Sequence, residues 1–219
     1  MTTTLDLTAT EFRSLAKARL SPEPGYVPPG TAISPSDFDL NPSLRQDLII
    51  EGGKKPLRAA AVLVPVIKRD ELMVLLTLRP QTMPSHAGQI SFPGGKVDDS
   101  DRDVVATALR EAHEEIGLPT TVTETLGFLD PYETVTGFEV HPVVGLIEHE
   151  FEPVANPGEV AEVFEVPLSF LMDTANHLKH ERVFEEQTRY FYAMPYGRHY
   201  IWGATAGMLR NMHQRLFLK

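Results

Sequence analysis

The chain has 219 residues, a formal net charge of −10 at pH 7, 42% hydrophobic residues and no cysteine. That length supports one sizeable buried core. The missing cysteines exclude a disulfide framework, a thiol nucleophile and a zinc–thiolate site. The acidic balance argues against a nucleic-acid backbone as partner, and the longest apolar run, 59–67, is far too short to cross a bilayer. The first twenty residues carry Asp6 and Glu11 and lack the apolar core of an export signal, so a cytoplasmic location is expected.

In chain order, residues 1–56 read as an extension and 57–219 as the main domain. Phe12, Leu15, Ala16 and Leu20 recur at helical spacing. Pro22, Pro24, Pro28, Pro29, Pro35 and Pro42 then predict extended or turning backbone. Residues 59–67 are an apolar, β-rich run; the charged turn 68–71 and the run 72–78 complete a predicted hairpin, with Arg79 at its end. Gly94 and Gly95 follow Pro93 and allow the backbone a tight turn and a close approach to a ligand or metal.

A helix follows. Ser100 and Asp103 resemble a capping-box start, Val105, Ala108, Leu109, Ala112 and Ile116 keep helical spacing, and Gly117 and Pro119 stop the run. Further strands are expected over 126–129, 138–147 and 189–194, and a closing helix over 204–216 with Met208, Leu209, Met212 and Leu216 on one face. His141 and Trp202 are expected to be structural, and a surface position is the expectation for His86. Paired strands interleaved with helices give an α/β architecture with a sheet between helix layers.

Glu111, Glu114 and Glu115 fall on one sector of the helix near its C-terminal end. At about 100° per residue, Glu111 and Glu115 project roughly 40° apart beside the apolar stripe, and Glu114 lies roughly 60° to the other side of Glu111. Like charges at this spacing repel, and carboxylates at a helix C-terminus oppose the macrodipole. A solvated acidic face with Arg110 paired to Glu114 is one account. A hard divalent cation is the other, because Mg2+ prefers carboxylate oxygens. The Gly-Gly lead-in and the Gly117 stop favour the cation.

Residues 110–118, Arg-Glu-Ala-His-Glu-Glu-Ile-Gly-Leu, resemble the end of the Nudix box without a mismatch. The front half departs from the common form: Asp101 stands where Glu is usual, and eight residues rather than seven separate it from Arg110. This departure, with Phe92-Pro93-Gly94-Gly95 and the upstream stretch from Leu75 to Arg79 and Gly88, is similar to the coenzyme A pyrophosphatase subgroup. Pro84 stands where that subgroup commonly has arginine.

The resemblance covers about residues 57–215 and implies an α/β/α sandwich with a mixed sheet. It implies Mg2+ or Mn2+ held by Glu111 and Glu115, with Glu114 supporting the metal cluster and Arg110 holding the glutamates by pairing. Arg79, Gly94 and Gly95 are the expected substrate contacts. For the general base the candidates are Glu159, then Glu162, in the loop 156–162, or Glu114 itself. The implied reaction cleaves a diphosphate bond in coenzyme A or an acyl derivative, giving 3′,5′-ADP and a 4′-phosphopantetheine. The alternatives are a Nudix hydrolase for ADP-ribose or another nucleoside diphosphate derivative, and a non-catalytic nucleotide-sensing module. The expected partner is a small-molecule diphosphate, without nucleic acid or membrane, and a homodimer is compatible with this reading.

Overall fold

The computed structural model describes residues 6–25, 35–44, 56–83, 85–184 and 187–218. Pro28, Pro29 and Pro84 lie outside the described residues. At the centre of the main sheet is β1 (Arg58–Lys68), an apolar strand buried on both faces. It pairs antiparallel with β2 (Leu72–Leu78), the predicted hairpin, and in parallel with β7 (Phe138–Ile147) from Arg58↔Phe138 to Ile67↔Ile147. Beyond β7 lies β5 (Thr123–Phe128), antiparallel. The short strands β3 (Ile90–Ser91), β4 (Gly94–Lys96) and β6 (Tyr132–Glu133) pair with β2, β1 and β7. β8 (Glu162–Pro167) runs antiparallel to β2. One parallel pair among antiparallel ones makes the sheet mixed.

Period-two alternation sends the side chains of β1 into two cores. Ala61, Leu63 and Ile67 pack beneath α2 (Val104–Ile116), against Ala108, Ala112 and Ile116. Ala60, Val64 and Val66 face the opposite layer, built from α1 (Ala9–Arg19), α3 (Leu168–Met172) and α4 (Ala204–Phe217). Helices therefore cover both faces, and the expected α/β/α sandwich is observed. Among the described residues no helix is long and apolar enough to cross a membrane.

The N-terminal helix belongs to this packing. Thr8 and Glu11 form a capping box at its start, and Phe12 and Ala16 are fully buried in the same core as Leu209 and Met212. Burying a side chain of the size of Phe12 contributes about 1.5–3 kcal/mol. Arg13 and Lys17 on its outer side pair with Glu124.

A second, three-stranded antiparallel sheet of β9 (Leu178–Phe184), β10 (Gln187–Tyr196) and β11 (His199–Trp202) lies beyond α3. Only part of β10 is evident from periodicity. The rest of this sheet, together with β3, β4, β6 and β8, is too short or too polar to stand out in the sequence. Two local expectations change. Ser100 sits in a turn closed by Asp98, and Asp103 alone caps α2, its Oδ1 accepting from Ala106 N–H at 2.8 Å. Pro42 opens a helical turn at 42–44, the first helical position where proline's fixed φ is favourable.

Candidate active site

The apolar stripe of α2 is anchored on β1, and this rotation carries Glu115 inward. Its side chain is 3% exposed, and its Oε2 has no hydrogen-bond partner. The nearest cation is Arg79, with Nη1 4.0 Å from Oε1 of Glu115. Burial pushes the Glu115 carboxyl up to about 8, against the opposing pull of Arg79. Glu111 is shifted upward by burial as well, opposed by Arg110. Two partly or fully buried carboxylates, Glu111 paired to Arg110 on one side and Glu115 with an orphaned buried oxygen, form a donor set suited to a hard divalent cation. The helix ends immediately beyond them, where Gly117 adopts the left-handed conformation with φ 69°.

β4 explains the Gly-Gly pair. Gly95 is paired to Ala61 and Gly94 to Val62 on β1, which places this strand beneath α2. A Cβ at Gly95 would lie 2.5 Å from Cδ of Glu111, and one at Gly94 would lie 2.6 Å from Cα of Val62. Only glycine leaves the Glu111 carboxylate its position over the strand.

Arg110 organises the outer side of the cluster. Its Nε and Nη2 donate to the two oxygens of Asp101 at 2.9 Å each, a planar fork. Its Nη1 donates to Glu111 at 2.9 Å and to Glu114 at 3.1 Å, and Nη2 also reaches the carbonyl of Lys96 at 3.3 Å. Asp101 is thus fixed to the outer side of α2 through Arg110. Its carboxyl is held well below the ordinary range by the Arg110 guanidinium. Glu114 is 51% exposed and turned toward Arg110.

The third carboxylate comes from the loop between β7 and β8. Asn156 N–H donates to the carbonyl of Glu115 at 2.8 Å, and Val154 N–H to that of Ile116 at 3.0 Å, so the loop is laced to the end of α2. Asn156 then starts a turn in which its side chain accepts from Gly158 N–H, and Glu159 N–H donates to its carbonyl. One carboxylate oxygen from each of Glu111, Glu115 and Glu159 lies within 4.8 Å of the others. The other expected candidate, Glu162, is placed elsewhere: it starts β8 and pairs with Arg198 and with His199, the latter at 3.1 Å.

A cavity of about 1060 Å³ opens beside Gly94 and Gly95. Arg79 lines it, and Arg79 Nε is buried without a hydrogen-bond partner. His86 and Gln89 also line it and bond to each other at 2.9 Å. Trp202, half-buried, shows its ring edge-on to Phe191 and borders the same space rather than the interior of the core. Sequence reasoning missed Arg58, Lys96, Arg182 and Arg210 in this lining. They are scattered along the chain, and no spacing rule links them.

The family model described as NUDIX domain matches residues 56–187. Proteins named uncharacterized Nudix hydrolase NudL are similar over most of the chain. The one from Enterobacter sp. (strain 638) is 38% identical over 180 residues, 82% of this chain and 91% of its own length. That from Cronobacter sakazakii is 42% identical over 163 residues, 71% of this chain and 81% of its own length. Among solved structures, the MutT protein from Methanosarcina mazei Go1 aligns with a TM-score of 0.44 and 25% identity, covering 54% of this chain and 83% of that one. The family match spans more than half of the chain and falls on the helix, loop and glycines just described. This chain belongs to the Nudix family and is a Nudix hydrolase, an enzyme acting on a diphosphate substrate.

Proposed function

We propose that the enzyme hydrolyses the diphosphate bond of coenzyme A or an acyl-coenzyme A in the cytoplasm, giving 3′,5′-ADP and a 4′-phosphopantetheine. The observation that carries this reading is the charge of the cavity. A chain with net charge −10 lines one space with Arg58, Arg79, Lys96, Arg182, Arg189 and Arg210. That concentration of cations suits a ligand with phosphate beyond the diphosphate itself. Phe138, beneath Arg58 at 3.9 Å, and Trp202 add aromatic surface for a base.

Nudix hydrolases generally use divalent metals, and Mg2+ or Mn2+ is the ion we assign to Glu111 and Glu115. When bound, the metal withdraws charge from the diphosphate and favours attack by water. The chain's own groups do the rest. Arg79 holds a phosphate oxygen beside Glu115. Arg110, anchored by Asp101, keeps Glu111 and Glu114 oriented. Glu159 accepts the proton of the attacking water as the phosphorus–oxygen bond to the leaving phosphate breaks. Glu114, bound to Arg110, supports the cluster from its exposed side. Gly94 and Gly95 let the substrate approach the strand closely. The catalytic domain is residues 57–219, and the extension 1–56 contributes α1 to its core and residues 35–44 to its cavity.

Turnover of a panel of diphosphates with Mg2+ or Mn2+ tests this reading. Coenzyme A is expected to show a much higher kcat/KM than ADP-ribose or NADH. Faster cleavage of ADP-ribose at equal low concentration would overturn the coenzyme A assignment and leave the diphosphate hydrolase.

A further inference from the structure

Residues 35–44 precede the region matched by the family, yet they form a wall of the cavity. At one end they are tied to the main sheet. Ser36 forms a parallel bridge with Glu133, and Asp37 N–H donates to the Glu133 carbonyl at 3.0 Å. The Asp37 carboxylate accepts from the Tyr132 hydroxyl and from Val135 N–H, at 2.9 Å each. Tyr132 is itself lodged against α4 at Gly207, where a Cβ would lie 2.6 Å from its ring.

At the other end the segment is tied to the second sheet. Asn41 Nδ2 donates to the Tyr190 carbonyl at 2.8 Å, and Tyr190 N–H donates to Asn41 Oδ1 at 2.8 Å. This part of β10 lies beyond the stretch, Ala193 to Tyr196, that β11 covers. The amide of Asn41 therefore stands in for a neighbouring strand and satisfies both backbone groups of Tyr190. Between the two anchors Ser36 and Asp39 close a turn, with Oγ donating to Oδ1 at 2.7 Å, and Phe38 is buried.

The segment bridges β6 and β10 and presents Pro35, Leu40 and Leu44 to the cavity, with Asp37 and Asp39 beside them. The cations of the lining lie on other elements. An apolar wall flanked by carboxylates repels phosphate and accepts uncharged surface. We infer that residues 35–44 are a strap that receives the uncharged organic arm attached to one side of the substrate's diphosphate, with Asp37 and Asn41 as positioning residues. The inference rests on the reading that this cavity holds the substrate.

The test uses full-length protein in two backgrounds. In active enzyme, Asn41→Ala and Leu40→Ser are expected to raise KM for coenzyme A about fivefold or more while kcat stays within about threefold, because a contact kept in ground and transition states is uniform binding. In the Glu115→Gln background, calorimetry with Mg2+ is expected to show about fivefold weaker coenzyme A binding on adding either strap change, with affinity for ADP, which lacks the arm, nearly unchanged. A purely structural strap would weaken both ligands alike, and that result overturns the inference. If Asn41→Ala does not fold, Leu40→Ser, which leaves the anchoring side chains Asp37 and Asn41 in place, decides alone. Glu115→Gln that keeps full turnover would instead overturn the site reading. Loss of turnover in Glu115→Gln with unchanged KM in both strap variants would overturn the strap alone.

Discussion

The backbone N–H of Asn156 donates to the carbonyl of Glu115 at 2.8 Å, making the last turn of α2 and the loop that carries Glu159 one hydrogen-bonded unit. The position of Glu159 relative to Glu111 and Glu115 is thereby set by main-chain bonds, independent of its own side chain. Glu159→Gln keeps that geometry and removes the proposed base. Its kcat is expected to fall about a hundredfold or more, with KM little changed. Glu114→Gln, at an exposed position held by Arg110, is expected to cost less than about tenfold. Steady-state kinetics of the two variants distinguish the candidates, and a larger loss in Glu114→Gln would transfer the role to that residue.

Glu115→Gln removes the buried carboxyl at constant shape. Turnover is expected to fall by orders of magnitude while the fold survives. Its effect on stability depends on pH. The Glu115 carboxyl sits at about 8 in the folded protein, above its unfolded value, so the metal-free fold binds this proton more tightly. The stabilisation from the proton is fully present below the unfolded value and is lost as pH rises through the folded one. Urea denaturation of metal-free wild type is expected to show stability falling between about pH 5 and pH 8. Glu115→Gln should flatten that slope, and Mg2+ should restore wild-type stability at the upper end.

Asp101→Asn weakens the fork to Arg110, whose carboxylate partner is 5% exposed. The expected loss is about 1.5–3 kcal/mol at neutral pH, the range for hydrogen bonds to charged groups. The Asp101 carboxyl is held below its ordinary value, so its contribution is present above that value and lost as pH falls. The stability difference between wild type and Asp101→Asn should therefore narrow below about pH 4. A difference that is constant with pH would show that packing, rather than the ion pair, is what Asp101 supplies.

Arg79→Ala removes the cation between Glu115 and the cavity. A charge-assisted phosphate contact is worth about 1.5–3 kcal/mol, so KM is expected to rise about tenfold or more, with a smaller fall in kcat. A kcat loss exceeding the KM rise would mean that Arg79 acts mainly on the transition state.

Short-range chemistry was legible in the sequence. The helix from Asp103 to Gly117, the β1–β2 hairpin and the strand 138–147 each carry a strong period or a cap, and a period reports which face will be buried. Residues 110–118 likewise announce their chemistry, because Glu111 and Glu115 must share a helix face whatever surrounds them. The tertiary structure decided what depends on residues far apart in the chain. The orphaned oxygen of Glu115 comes from packing α2 on β1. The entry of Glu159, and not Glu162, into the carboxylate cluster comes from the lacing of Asn156 to Glu115. Asp37 and Asn41 gain their meaning only from Tyr132 and Tyr190, about a hundred and a hundred and fifty residues away. Local sequence specifies backbone preference and side-chain direction; which distant groups meet is set by how two buried faces of one sheet close over their helices, and no spacing along the chain encodes that.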